Sequence, residues 1–341
     1  MLDGRNTASA LGEMIESAKG AAPLRIAVVD AAQPVVLETL QEAQRMGLAE
    51  PILIGQPDRI RAEAAAIGWD ISDLPMISAS GDAEAGARAC AEVRAGRADA
   101  IKKGNVHTDV LMRALLNSDT GLRLPDRRVS HVFVTELQHY PKLLGITDAA
   151  INIAPDLNAK ADILRNAVEL FHLIGVAEPR VAVVSAVETV TGTIASSLDA
   201  ACLTLMARRG QIAGAVVDGP LAFDNAISAD AADEKGIVSD VAGQADILLV
   251  PDLVSGNMLA KSLEYLAGAV AAGLVVGLAC PVILSSRADP KAARIAGIAV
   301  AARMHRGRVQ SIPPDEAKPA GRFGPAPQTE DACCPLPVKV A

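Results

Sequence analysis

Four stretches of the chain combine residue types that can do chemistry. Residues 284–290 read LSSRADP, placing the hydroxyl of Ser286, the guanidinium of Arg287 and the carboxylate of Asp289 within four residues. A guanidinium fork matches phosphate oxygens, and a nearby carboxylate can accept a proton. The same residues also read as a helix start, with Asp289 capping the helix that Pro290 opens and Arg287 in a surface ion pair. Residues 217–224, VDGPLAFD, put Asp218 where a predicted strand ends, the place where parallel sheets bind ligands. Gly219 allows close approach of the backbone and Pro220 stiffens the turn. The plainer alternative is an Asp218 that caps its own loop.

Residues 250–257, VPDLVSGN, form a polar turn that opens a helix bearing Lys261. The N–H groups of such a turn can hold a phosphate, with Asn257 as cap or ligand contact and Lys261 as a point charge one turn on. A plain N-cap and a solvated lysine are the competing reading. Residues 102–109, KKGNVHTD, follow a short apolar run and lead into a helix with Arg113. Lys103 and Gly104 can face a phosphate there, whereas lysines are more often solvated and His107 can bond to backbone. His131 falls in a strand-like run and reads as structural. Cys202 reads as a small core residue of a helix.

These stretches need elements to hold them, and the hydrophobic pattern supplies alternating strands and helices. Strands are expected at 25–29, 51–54, 180–186, 213–217 and 281–284. Helices are expected at 35–46, from Pro57 to Gly68, at 155–174, 198–209 and 290–304. Glycine after a helix and proline in its first turn mark several ends. The alternation predicts an α/β chain with a mainly parallel sheet. The chain has 341 residues, which suits two domains. We expect a first domain of residues 1–146 with 285–312, a second of 147–284, and a disordered proline-rich tail, 313–341.

Composition narrows the function. Lys and Arg number 32 against 40 Asp and Glu, a net charge of −8, and only 2% of residues are aromatic. An acidic, aromatic-poor chain suits neither nucleic acid nor an anionic membrane, so any phosphate must be held by a local donor cluster. The uncharged run 267–286 is long enough to span a bilayer but is broken by Gly268, Gly273, Gly277 and Pro281; it reads as a helix end, a turn and a strand. Five cysteines without zinc spacing, and an N-terminus without an apolar core, point to a reduced, cytoplasmic protein. No Gly-x-Gly-x-x-Gly turn follows a strand, which disfavours a nicotinamide-dependent dehydrogenase.

Taken in order, KGNVHTDVLMRALL, VSHVFV, TDAAINIAPDLNAKADILRNAVEL, EPRVAVVSAVE, VDGPLAFDNAIS, KGIVSDVAGQADILLVPDLVSGNMLAKSLEYL and PVILSSRAD resemble the phosphate acetyltransferase/phosphate butyryltransferase family over residues 25–302. NIAPDL, VDGPLAFDNA and SSRAD resemble the butyryltransferase branch most. The resemblance implies a two-domain fold of the isocitrate/isopropylmalate dehydrogenase-like type with the active cleft between domains. It implies reversible transfer of a short acyl group between coenzyme A and inorganic phosphate, by a homodimer or larger homo-oligomer. Coenzyme A is then a substrate, and no cofactor is tightly bound. By this resemblance Arg287 binds the phosphoryl group and Ser286 bonds to the charge that develops at the reacting centre. Substrate contacts fall to Gly219, Pro220, Asn257, Lys261, Lys103 and Gly104. Arg113 lies one residue from an arginine of the acetyltransferase branch that contacts phosphate. That branch carries its base six residues after the SR arginine, where this chain has Ala293. Asp289 is then the first choice for the base and Asp218 the second. An acyl-CoA sensor on the same fold, with catalysis lost, is the competing reading.

Overall fold

The protein, a computed structural model, is described over residues 9–286 and 289–311. Arg287 and the proline-rich tail lie outside the described residues. Eleven strands form one sheet: β1 (Leu24–Val29), β2 (Ala49–Gly55), β3 (Met76–Ser78), β4 (Ala100–Lys103), β5 (Ser130–Glu136), β6 (Leu144–Thr147), β7 (Arg180–Val184), β8 (Val216–Leu221), β9 (Ile247–Leu249), β10 (Val270–Val276) and β11 (Val282–Ile283). Eleven helices are present among the described residues. They are α1 (Ala10–Lys19), α2 (Pro34–Arg45), α3 (Pro57–Ala66), α4 (Asp82–Arg94), α5 (Thr108–Leu115), α6 (Leu157–Ile174), α7 (Ala195–Arg208), α8 (Phe223–Ile227), α9 (Ala229–Glu234), α10 (Leu253–Leu266) and α11 (Lys291–Ser311).

The spatial order is β3-β2-β1-β4-β11-β10-β5-β6-β9-β7-β8. The first five are mutually parallel, as are the last four. Between them β10 is antiparallel to both β11 and β5, and β5 is antiparallel to β6. The two parallel blocks therefore run in opposite directions. The ends of β1, β4 and β11 share one edge of the sheet, while β6, β9 and β7 end at the other.

Alternation along each strand divides the core between the two faces. Ile26 and Val28 join Leu37, Leu40, Ile298 and Met304 on one face, beneath α2 and α11. Ala27 and Val29 join Cys90, Leu111 and Cys280 on the other, beneath α4 and α5. Burying such aliphatic side chains contributes roughly 1.5–3 kcal/mol each.

Most predicted elements are found, with shifted ends. The predicted helix at 155 begins at Leu157, because Asp156 is its cap and accepts the Ala159 N–H at 2.8 Å. Strand β8 does not stop before Asp218 but runs through Asp218, Gly219 and Pro220 to Leu221. Helix α10 begins before Gly256, since Asp252 caps it by accepting the Ser255 N–H. The run read as a helix end and a turn contains β10, whose small residues fit between β5 and β11. Cys202 is exposed, not part of the core. Among the described residues, no helix is long and apolar enough to cross a membrane.

At the edge shared by β1 and β4 the backbones nearly touch. The Gly104 N–H donates to Val29 O at 3.0 Å, and Asn105 N–H to Asp30 O at 2.7 Å. A Cβ on Gly104 would lie 2.2 Å from Asp30 O and 2.5 Å from Val29 O, both backbone atoms. The glycine is thus required by chain packing, whatever ligand it also faces. Gly104→Ala is expected to lower stability by about 1–3 kcal/mol, read from the denaturant midpoint. An unchanged midpoint would mean that the ends of β1 and β4 yield freely.

Candidate active site

Strand β11 delivers Ser285 and Ser286 to the edge where β4 delivers Lys102 and Lys103. Lys102 points into the layer beneath α2 and α11 and is fully buried. Its Nζ donates to Ser285 Oγ at 2.9 Å. Burial, with Arg294 close by, pushes its pKa down to about 8, although Asp289 opposes this. Arg294 comes from the first turn of α11 and is nearly buried. It donates through Nη1 to Asp289 O at 2.5 Å and through Nε to Thr39 Oγ1 at 2.8 Å.

These cations border a crevice lined by Gln33, Lys102, Lys103, Gly104, Ser285, Ser286 and Arg294. Its volume is about 10 Å³, room for one water-sized group. Gln33 precedes Pro34 at the start of α2, and its Oε1 is buried without a hydrogen-bond partner among the described residues. Such a crevice offers a lysine with N–H donors to spare, a guanidinium and serine hydroxyls to an oxyanion.

Asp289 bonds back to Ser286. Its Oδ2 accepts the Ser286 N–H at 2.6 Å, and its own N–H donates to Ser286 O at 3.2 Å. Its side chain is 11% exposed. Burial raises its pKa; the Ser286 N–H and Lys261 pull it down, and Glu264 pushes it up, leaving it above the usual value. Asp289 is therefore the acid that the structure holds against Ser286. Ala293, buried at the start of α11, offers no side chain that could take its place.

The other expected residues divide in two. Lys261, two turns into α10, joins this edge, with its Nζ 2.5 Å from Glu264 Oε2 and 3.7 Å from Asp289 Oδ1. Burial works against its charge, but these two carboxylates outweigh it and raise its pKa. Asn257 points the other way, donating to Ala149 O at 3.1 Å and fixing α10 to the loop after β6. Arg113 is exposed and pairs with Asp109 one turn back on α5, at 2.7 Å.

Asp218, Gly219 and Pro220 lie on the far edge strand, six strand spacings or about 29 Å from β11 along the sheet. There the Gly219–Pro220 bond is cis, and Gly219 approaches Val183 O so closely that a Cβ would stand 2.7 Å away. The described residues thus gather Ser286, Asp289, Lys261, Lys103 and Gly104, and leave Asp218, Gly219, Pro220, Asn257 and Arg113 elsewhere. Arg287 falls outside the described residues.

Lys102, Arg294, Gln33 and Glu264 were not among the expected residues. Lys102 carried a signal: a charged residue inside an apolar strand pattern, AIKK, has to be paid for by a function or a partner. His131, read from the sequence as structural, lies buried in β5. It is buried edge-on to Phe133, with centroids 4.4 Å apart, and burial pushes its pKa down, keeping it neutral. A larger hollow of about 410 Å³ lies beside α6, but its arginines already have carboxylate partners: Arg127 with Glu169, and Arg128 and Arg165 with Asp162. No group of three or more metal-binding side chains occurs among the described residues.

The family model described as Phosphate acetyl/butaryl transferase matches residues 83–302. A phosphate acetyltransferase from Rhizobium meliloti is 50% identical over 289 residues, 85% of this chain and 91% of that protein. A phosphate butyryltransferase from Clostridium acetobutylicum is 41% identical over 290 residues, 85% of this chain and 96% of that protein. Among solved structures, a branched-chain phosphotransacylase from Enterococcus faecalis V583 is similar with a TM-score of 0.72 at 28% identity, covering 83% of this chain and 99% of that one. The mixed α/β fold is that of the phosphotransacylases, and the chain belongs to the phosphate acetyl/butyryl transferase family.

Proposed function

We propose that the protein transfers a short acyl group, acetyl or butyryl, reversibly between coenzyme A and inorganic phosphate, at the sheet edge that holds Ser286, Asp289, Lys102 and Arg294. The meeting of a buried lysine, serine hydroxyls and a carboxylate of raised pKa in one place carries this reading. In the direction of acyl-CoA synthesis, Asp289 takes the proton of the coenzyme A thiol. The sulfur then attacks the acyl carbonyl and forms the C–S bond. The C–O bond to phosphate breaks, and phosphate leaves with the electron pair. Ser286 donates a hydrogen bond to the charge at the reacting centre, and Arg287 holds the phosphoryl group, a role it takes from its motif. Lys102 supplies a second cation, whose field is strong because it is dry. The crevice admits one phosphate oxygen.

Asp289 serves as base in preference to Asp218, because only Asp289 lies beside Ser286. Lys261, Lys103 and Gly104 are the remaining substrate contacts at this edge; Arg113, Asn257, Gly219 and Pro220 then act by holding the fold or a remote part of coenzyme A. The opposed parallel blocks support a fold of the isocitrate/isopropylmalate dehydrogenase-like type. The cleft then runs between a half built by 1–146 with 285–312 and a half built by 147–284. Coenzyme A comes and goes as a substrate, so the reaction needs no resident cofactor. The exposed apolar side chains Ile153, Val254, Met258, Tyr265 and Leu266 support a homo-oligomer, and the free thiols suit the cytoplasm.

Release of free thiol when phosphate is added to acetyl-, propionyl- or butyryl-CoA tests the activity. No release above background, with coenzyme A still bound, would leave an acyl-CoA sensor. Arg287→Ala is expected to raise the phosphate KM and lower turnover, and unchanged kinetics would remove its role. Lys102→Met is expected to raise the phosphate KM more than the acyl-CoA KM; an equal rise would remove Lys102 from the phosphate site. The same variant tests the cost of burial. A lysine with its folded pKa lowered to about 8 from an ordinary 10.5 weakens the fold while charged; stability recovers as pH rises through that window. Lys102→Met is therefore expected to be more stable at pH 7, by up to about 3 kcal/mol, with the gap closing near pH 10. A gap equal at both pH values in denaturant unfolding would show that charge is not its cause.

A further inference from the structure

Glu264 lies in the last turn of α10, remote in sequence from the 284–290 motif, and its side chain is 9% exposed. Its Oε2 accepts Lys261 Nζ at 2.5 Å across one helical turn. Lys261 in turn faces Asp289 Oδ1 at 3.7 Å, beyond hydrogen-bond reach. That Oδ1 atom is buried and receives no N–H or O–H among the described residues, while Oδ2 is occupied by the Ser286 N–H and the Glu264 carboxyl stands in hydrogen-bonding contact with Asp289. One lysine thus stands between two carboxylates and is bonded to the one that is not beside the serine.

From this geometry we propose that Glu264 is a positioning residue for the transfer: it draws the Lys261 ammonium toward itself, so that the ion pair with Asp289 stays loose, and sets its own carboxyl against Asp289. The inference rests on the reading of Asp289 as the base. A carboxylate locked in an ion pair is a poor proton acceptor, because taking the proton forfeits the pair. Lys261 already pairs loosely with Asp289 at 3.7 Å, and its 2.5 Å bond to Glu264 keeps that pair from closing to hydrogen-bond contact. The negative charge of Glu264 also favours protonation of Asp289, in the same direction. Both effects raise the basicity of Asp289 toward that of a thiolate, whose ordinary pKa is about 8.5, and make proton transfer easier. Among the described residues, the other charged groups around Asp289 are Lys102 from β4 and Arg294 from α11. His131 on β5, which feels Lys261, is neutral.

The lysine and the glutamate act on Asp289 with opposite sign, so two substitutions should move one observable in opposite directions. The observable is the acid limb of the pH profile of kcat/KM for thiol-dependent acyl transfer from acyl phosphate. Glu264→Gln removes a negative charge and lets Lys261 close on Asp289; the acid limb is expected to move down by about one pH unit, with a several-fold lower rate on the plateau. Lys261→Met removes the cation and is expected to move the limb up by about one pH unit. Asp289→Asn should abolish the limb along with most of the rate. Circular dichroism and thermal melts check that each variant is folded. If Glu264→Gln does not fold, the Lys261→Met direction alone decides: an upward movement supports the pairing, and an unmoved limb overturns it. If Asp289→Asn is inactive but neither other variant moves the limb, or both move it the same way, the positioning role is overturned and the base reading stands. If Asp289→Asn keeps its rate and its acid limb, the base reading falls first and the role of Glu264 falls with it.

Discussion

The direction of β10 decides which side chains meet. Helix α10 follows β9, whose block points away from the edge where β4 and β11 end. Its first turn is therefore anchored at the opposite edge, where Gly256 lies so close to the Asp148–Ala149 backbone that a Cβ would meet Asp148 O at 2.9 Å. The helix then crosses the sheet face over Phe133 and Ile146 and ends where β10 begins. Because β10 is antiparallel to β11, that beginning lies beside Leu284, whose N–H donates to Gly273 O at 3.0 Å. The last turns of α10, with Lys261 and Glu264, thus come to the same place as Ser286 and Asp289. A parallel β10 would have put them at the other end of the sheet.

The two buried cations gathered there are held by neutral acceptors. Lys102 and Arg294 are like charges, both nearly or fully buried, and neither has a carboxylate within salt-bridge reach among the described residues. Arg294 is satisfied by neutral acceptors, Thr39 Oγ1 and Asp289 O; Lys102 has one, Ser285 Oγ, and keeps donors unused. A buried cation short of acceptors favours an anion at that point more strongly than an exposed one does, since water does not compete. Asp289 balances part of this field but spends one oxygen on the Ser286 N–H, fixing the turn that presents the serine. The same carboxylate thus holds Ser286 in place and, on the reading of it as the base, faces the reacting group.

The alternation of strand and helix was legible in the sequence because glycines and prolines mark the ends: Gly47, Gly68 and Gly175 follow helices with positive φ, and Pro34 and Pro57 open them. The SSRAD turn was legible for the same reason. What could not be read was which turns share an edge. The DGP and SSRAD stretches both look like strand ends, yet β8 carries the first through its own ladder, six strands from the second. The VPDLVSGN turn likewise hid its cap: Asp252, not Asn257, closes the helix start, so Asn257 turns to the Ala149 carbonyl. Glu264 sits amid a helix that looks amphipathic on its own, and only the return of the chain through β10 gives it a neighbour.

Position 293, where the resemblance to the acetyltransferase branch led us to expect an acid, points into the core. Residue 293 falls in the first turn of α11, on the side that packs into the core, and Ala293 is 3% exposed. Its neighbour Arg294 reaches back instead, bonding the Asp289 carbonyl and so tying the helix start to the turn before it. An acid at 293 would have to be buried close to that arginine, in competition with Thr39 for it. On the reading of Asp289 as the base, the acid lies ahead of the helix, where the Ser286 N–H orients one oxygen and the other faces α10. Moving the carboxylate from helix to turn exchanges a partner on α11 for partners on α10. The proton affinity of Asp289 is then set by Lys261 and Glu264, across the gap between two elements that only the reversed strand brings together.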